Sequence, residues 1–307
     1  MKVSPVTPGD LGSSVIAVPP LALTQELQVN VEENRKIIGH LHSGGVTSYL
    51  YGGNANAFAI PLSDFEALLD MLEDITPEQG WVIPSVGADY GKALDQVRIL
   101  KHRSFPTAML LPMSAPLTPD GVASGVRLLA ETLGKPMVVY IKFAHFLTPV
   151  LLQKLQDDGV ICSIKYAIER PDPRNDDFLR ELIDRVGTER LVSGIGERPV
   201  VDHLGHFGLQ CFTSGSVCIA PRISMAFLHA VRQRDFERAQ ALWEHFVPLE
   251  NLRDAHSPIR VLHEAVRLAG IAETGPMMPL LSNLNDADLC AEIQSAAAAL
   301  LEANASL

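Results

Sequence analysis

The sequence predicts a (β/α)8 barrel followed by an all-helical C-terminal extension. Three observations predict it. Eight short runs rich in Val, Ile and Leu punctuate the chain up to residue 220. Stretches of helical length, with apolar residues three and four apart, lie between them, which argues for βα units around a parallel sheet. From Pro221 the strand signals stop and only helical periodicity remains. Eight units in this span suit a closed barrel better than an open sheet, since α/β barrels of roughly 250 residues are single domains. The expected boundaries are 10–220 for the barrel and 221–307 for the extension packed on it.

The strands are expected at 14–18, 47–51, 82–86, 108–111, 137–140, 160–165, 191–193 and 210–214. Pro19-Pro20, Gly52-Gly53 and Pro112 stop the first, second and fourth. The barrel helices are expected at 31–41, 62–75, 90–102, 120–133, 149–156, 175–186 and 200–207. Ser63 or Asp64, and Thr148, are the N-cap choices, because their side-chain oxygens can accept an orphan N–H of the first turn. Four further helices are expected at 225–233, 235–246, 258–269 and 286–303, with Pro221 and Gly270 as punctuation.

Bulk properties narrow the function. The chain has 307 residues, 47% hydrophobic and 20% charged, with a net charge of −11. An acidic chain is a poor partner for nucleic acid or anionic lipid, both polyanions. No apolar run is long enough to span a bilayer, and the N-terminus, broken by Pro5, Pro8 and Gly9, does not read as a signal peptide. The four cysteines form no Cys-x-x-Cys pair. A cytoplasmic protein without a disulfide framework or thiolate zinc site is the expectation.

In such a barrel, reactive groups sit at the C-terminal ends of the strands. Two polar side chains end apolar runs there: Tyr140 after Val138-Val139, and Lys165 after Ile161 to Ile164. Strand alternation puts Ile161, Ser163 and Lys165 on one face. A lysine facing the barrel mouth among apolar neighbours loses preference for its charged form, and a neutral amine attacks a ketone to give an imine. A rim lysine that leaves the strand into solvent is the alternative. Tyr140 ends the preceding strand, so its hydroxyl is expected near the amine, as a proton shuttle or as simple packing.

On Val138-Val139-Tyr140, Ser163-Ile164-Lys165 and the run Gly208 to Ser214 leading to Ala220-Pro221, the chain resembles the dihydrodipicolinate synthase / N-acetylneuraminate lyase family over roughly residues 10 to 275. The resemblance implies a Schiff-base lysine at Lys165, a proton-relaying tyrosine at Tyr140 and no cofactor or metal. It also implies a 2-oxo acid such as pyruvate as substrate, and a homo-oligomer, either tetramer or dimer.

Departures from the family pattern accompany it. Where the family has a Gly-Thr-Thr-Gly-Glu carboxylate loop, this chain has Gly52-Gly53-Asn54-Ala55-Asn56. Backbone N–H groups of Gly53 and Ala55, with the amides of Asn54 and Asn56, are the expected anion contacts; an ordinary Gly-Asn turn is the alternative. The substrate-binding arginine of true dihydrodipicolinate synthases is His145 here, which offers no bidentate fork. Their interface tyrosine after the fourth strand is missing from Pro112-Met113-Ser114-Ala115-Pro116. Glu197, in the loop after the seventh strand, is expected to meet substrate hydroxyls or to pair with Arg198, and Ser214 to line the pocket.

Other features carry less. His203-x-x-His206 lacks third and fourth metal ligands, and Gly194-x-Gly196 lacks the third glycine of a dinucleotide fingerprint. The leading expectation is a lyase or aldolase forming an imine through Lys165, other than dihydrodipicolinate synthase itself. The second is dehydration of a deoxy sugar acid, as in 5-dehydro-4-deoxyglucarate dehydratase of the same family. The third, from another class, is a barrel that binds a metabolite without catalysis.

Overall fold

A computed structural model describes residues 1–307. Eight strands follow one another in chain order around a closed barrel. They are β1 (Ile16–Ala17), β2 (Ser48–Tyr51), β3 (Trp81–Val86), β4 (Met109–Leu110), β5 (Met137–Ile141), β6 (Ile161–Tyr166), β7 (Leu191–Ser193) and β8 (Cys211–Ser214). Every predicted strand is present. Their residues are almost all buried, because an all-parallel barrel is covered outside by helices and filled inside by side chains.

The helices are α1 (Pro8–Leu11), α2 (Val31–Ser43), α3 (Leu62–Ile75), α4 (Tyr90–Leu100), α5 (Pro119–Leu133), α6 (Pro149–Asp157) and α7 (Asp177–Val186), then α8 (Pro221–Arg232), α9 (Phe236–Glu244), α10 (Val247–Ala255), α11 (Pro258–Leu268) and α12 (Ala287–Ala305). A π-helical turn over Val201–His206 stands where the seventh barrel helix was expected. Thr148 caps α6 as predicted, its hydroxyl accepting from Leu151 N–H at 3.3 Å. At α3 the expectation fails: Pro61 is the N-cap, without a side-chain bond, and Ser63 donates to Asp64 inside the first turn. Proline presets the entry φ, so this helix starts without a hydroxyl cap. The helix α10 was not foreseen.

By compactness the chain forms two units, residues 14–82 with 214–307 and Met1, and residues 2–13 with 83–213. In the first unit, Val18 N–H donates to the Ser214 carbonyl at 2.8 Å. In the second, β4 to β8 pair in parallel, with Val139 opposite Ile164, Tyr140 opposite Lys165 and Lys165 opposite Val192. The β5–β6 register shifts once. Met137 faces Ile161 but Val138 faces Ser163, so Cys162 is an extra residue in β6. Leu152 and Leu155 of α6 and Leu179 and Leu182 of α7 are fully buried, each worth roughly 1.5–3 kcal/mol of burial.

Candidate active site

The second unit carries Lys165 and Tyr140 side by side at the C-terminal ends of β6 and β5. β6 is an extended, wholly buried strand, and alternation turns the lysine to the face opposite Tyr166. Lys165 is 6% exposed, so the solvent-leaving alternative fails. Its Nζ donates to the Gly194 carbonyl at 3.0 Å and lies 3.6 Å from the centre of the Tyr140 ring.

The tyrosine therefore presents its ring face, and no hydrogen bond joins its hydroxyl to the amine. This corrects the expectation that the hydroxyl is the group beside the amine. Direct register opposition brings the two Cα atoms level, so the first thing an extended lysine meets is the ring.

Burial, and secondarily the charge of Lys142, push the Lys165 amine down to about 7. The ring face acts the other way, since its quadrupole attracts a cation by about 0.5–2 kcal/mol. A displacement from 10.5 to about 7 corresponds to a penalty on the order of 5 kcal/mol on the ammonium, so burial wins. Near neutrality a large fraction of the amine is then a free base. Burial, with the charge of Glu169 adding to it, pushes the Tyr140 phenol up to about 12, which keeps it protonated and able to donate.

Gly194, just after β7, holds this arrangement from its own backbone. Its N–H donates to the Tyr166 carbonyl at 2.6 Å while its carbonyl accepts from Lys165. A Cβ at this position would stand 2.8 Å from that carbonyl oxygen and 2.9 Å from Lys165 Cγ and Ala167 Cβ. Only glycine fits without displacing the lysine stem.

Behind the lysine, the Tyr166 hydroxyl donates to the fully buried Asp176, which also receives Arg170 and caps α7 by accepting from Leu179 N–H at 3.0 Å. His203 is buried against Ser193 Oγ at 2.8 Å, and burial pushes its imidazole down to about 4. His203 is a neutral core residue of the π turn.

The remaining expected residues fall out differently. His145 is exposed, stacks on Phe143 at 5.4 Å between ring centres, and ties Nε2 to the Ser114 carbonyl at 3.2 Å. Glu197 is fully buried, so direct contact with a substrate hydroxyl would require its loop to move. In the first unit, the Ser214 hydroxyl accepts from Val217 N–H at 2.9 Å and serves the turn that follows β8. Asn54 donates to the Val18 carbonyl at 2.9 Å and Asn56 reaches the Met278 carbonyl at 3.5 Å, so both amides anchor their turn. Asn56 and Ala57 N–H groups close that turn on the Gly53 and Gly52 carbonyls. Those of Gly53, Asn54 and Ala55 donate to no backbone acceptor outside the strands and helices.

Sequence reasoning missed a buried cluster in the first unit. Glu250 receives Arg253 Nη1 at 2.6 Å and the Ser216 hydroxyl, and Arg253 Nη1 lies 3.4 Å from Ser216 Oγ. Two charged residues three apart read as a solvated helix face, and no signal in the sequence marked them as interior.

The chain is an eight-stranded α/β barrel with a buried lysine near the end of its sixth strand, its amine pushed down to about 7. No model of a protein family matches the chain. A relative from Pseudomonas savastanoi, named "Probable 5-dehydro-4-deoxyglucarate dehydratase", is 22% identical over 249 residues, covering 78% of this chain and 80% of its own. The dihydrodipicolinate synthase from Oceanobacillus iheyensis superposes with a TM-score of 0.82 at 20% identity over 97% of this chain and 98% of its own. YagE from Escherichia coli, a prophage protein of the dihydrodipicolinic acid synthase family solved with pyruvate, gives 0.80 at 19% identity over 93% and 98%. The barrel fold is the one shared by dihydrodipicolinate synthases, and in sequence the chain is similar to proteins named as 5-dehydro-4-deoxyglucarate dehydratases.

Proposed function

We propose that the protein is a Schiff-base lyase that takes a 2-oxo acid onto Lys165. The observation that carries this reading is the buried amine between the Gly194 carbonyl and the Tyr140 ring, with burial lowering it to about 7. The lone pair of the neutral amine attacks the ketone carbon. The carbonyl oxygen leaves as water with both amine hydrogens, and an imine remains. Protonated, that imine draws electrons from the neighbouring carbon, whose hydrogen becomes acidic. Loss of a β-hydroxyl gives dehydration; breaking the next carbon–carbon bond gives aldol cleavage. Tyr140, protonated at neutral pH, is the proton donor.

Of the two outcomes, the name borne by the sequence relatives favours dehydration of a deoxy sugar acid. The test is covalent capture. Pyruvate or 5-dehydro-4-deoxyglucarate is incubated with the protein, borohydride is added, and the intact mass is measured. An adduct that maps to Lys165 and vanishes in Lys165→Ala is expected. An unmodified mass across a panel of 2-oxo acids sinks the reading, and with it returns the barrel that binds without catalysis. A cytoplasmic homo-oligomer belongs to the same proposal, and light scattering on the purified protein checks the assembly.

A further inference from the structure

We infer that Tyr140 has a second role carried by its ring face alone: with the Gly194 carbonyl, it orients the lone pair of the Lys165 amine. The inference rests on the lysine being the nucleophile, as proposed above, but its geometry stands by itself.

A neutral primary amine has two hydrogens and one lone pair. One hydrogen of Lys165 Nζ points at the Gly194 carbonyl oxygen, 3.0 Å away. The Tyr140 ring centre lies 3.6 Å from the same nitrogen, within the range of an N–H directed at a π face. With both hydrogens engaged, the lone pair takes the one remaining direction, away from carbonyl and ring. Gly194 is held by its N–H on the Tyr166 carbonyl, and the Tyr140 backbone is held level with Lys165 by their register opposition. Without the ring, the amine rotates about its last bond and the lone pair spends time pointed at protein atoms.

The hydroxyl makes no bond to the amine, so the ring and hydroxyl functions separate. In this role Tyr140 and Gly194 are positioning residues, acting through Lys165. Only the phenol O–H is the proton donor. Phenylalanine keeps the first function and loses the second; leucine loses both.

The test needs no substrate. Cyanate carbamylates a neutral amine by addition, with no leaving group, so its rate at Lys165 reads the lone pair directly. The rate is followed by peptide mass spectrometry across pH in the wild type, Tyr140→Phe and Tyr140→Leu. The Phe variant is expected to match the wild-type plateau within about twofold. The Leu variant should plateau roughly three- to fivefold lower, the loss anticipated for removing one N–H···π contact. Should the Leu variant melt out, Tyr140→Met replaces it. A Phe plateau that falls with Leu assigns the orientation to the hydroxyl and overturns the inference. A Leu plateau equal to or above wild type overturns it as well.

Borohydride capture with 2-oxo acids is run on the same proteins. Absence of any adduct with the cyanate pattern intact removes the proposed lyase activity and leaves the orientation in place. Adducts formed equally fast in all three proteins do the reverse.

Discussion

Tyr140 and Lys165 are register partners on adjacent strands, and the tyrosine covers the amine with the face of its ring at 3.6 Å. The pair is thus built for two opposed demands. Burial strips the lysine of its proton, and the ring offers an environment in which the remaining ammonium fraction is still tolerated.

The first expected outcome is a pH profile. Only the free base is nucleophilic, and its folded-state pKa is depressed to about 7. Capture of pyruvate should rise through that pH and level off about one to two units above it, as the ammonium fraction disappears. A rate still climbing steadily towards pH 10 would mean the amine keeps an ordinary lysine pKa.

A second outcome concerns stability. The folded pKa lies below the unfolded value of 10.5, so between them the unfolded chain binds more protons and stability rises with pH. The penalty is full below about pH 7 and fades as pH rises towards 10.5. Lys165→Met should therefore stabilise the protein by an amount on the order of a few kcal/mol at pH 6, shrinking by pH 10. Paired thermal melts at the two pH values check the sign.

Gly194→Ala should cost both stability and chemistry. Two of the three atoms its Cβ would crowd are the backbone oxygen of Tyr166 and the Cβ of Ala167, which cannot swing aside as a side-chain tip can. Overpacking of this kind costs about 1–3 kcal/mol. The third atom is Lys165 Cγ, so capture of 2-oxo acids should slow by roughly tenfold or more, the effect of a small misplacement near the reacting atoms. Denaturant unfolding and borohydride capture measure the two effects separately.

Asp176→Ala should be the most damaging substitution behind the site. It strands the Tyr166 hydroxyl and Arg170 and removes the cap of α7. Breaking a buried charge pair from one side costs about 3–5 kcal/mol. Urea unfolding reads the loss, and a change below about 1 kcal/mol would show that the pair is not sustained in solution.

Much of this was legible before the structure. All eight strands announced themselves as short runs between turn signals and helical stretches, and the Tyr140–Lys165 adjacency followed from parallel βαβ connection alone. The helix α10 was hidden because its buried face contains Glu250 and Arg253, whose mutual pairing makes interior positions look like surface ones. The ring-face contact was illegible for a different reason. Residue spacing places two strand ends together, but the side-chain torsions decide whether a phenol offers its edge or its face. The backbone bonds of Asn54 and Ser214 could not be read from spacing, because short polar side chains near a turn are readily engaged by the nearest backbone group, here Val18 O and Val217 N–H. Gly194 stood out in the sequence only as half of an incomplete glycine pattern, since its necessity arises from a lysine stem 29 residues away along the chain.

The register shift in β6 makes the chemistry a matter of counting. Were Cys162 paired with Val138 and the register not shifted, Tyr140 would lie opposite Ile164 and the amine would face a different neighbour. A deletion at Cys162 removes only the unpaired residue, so the two functional side chains stay level. A deletion at Val139 moves Tyr140 one place along its strand and turns its ring to the other side of the wall. Loss of one residue is thus tolerated or ruinous according to the strand in which it falls, which sets the paths by which length changes can accumulate in this wall of the barrel.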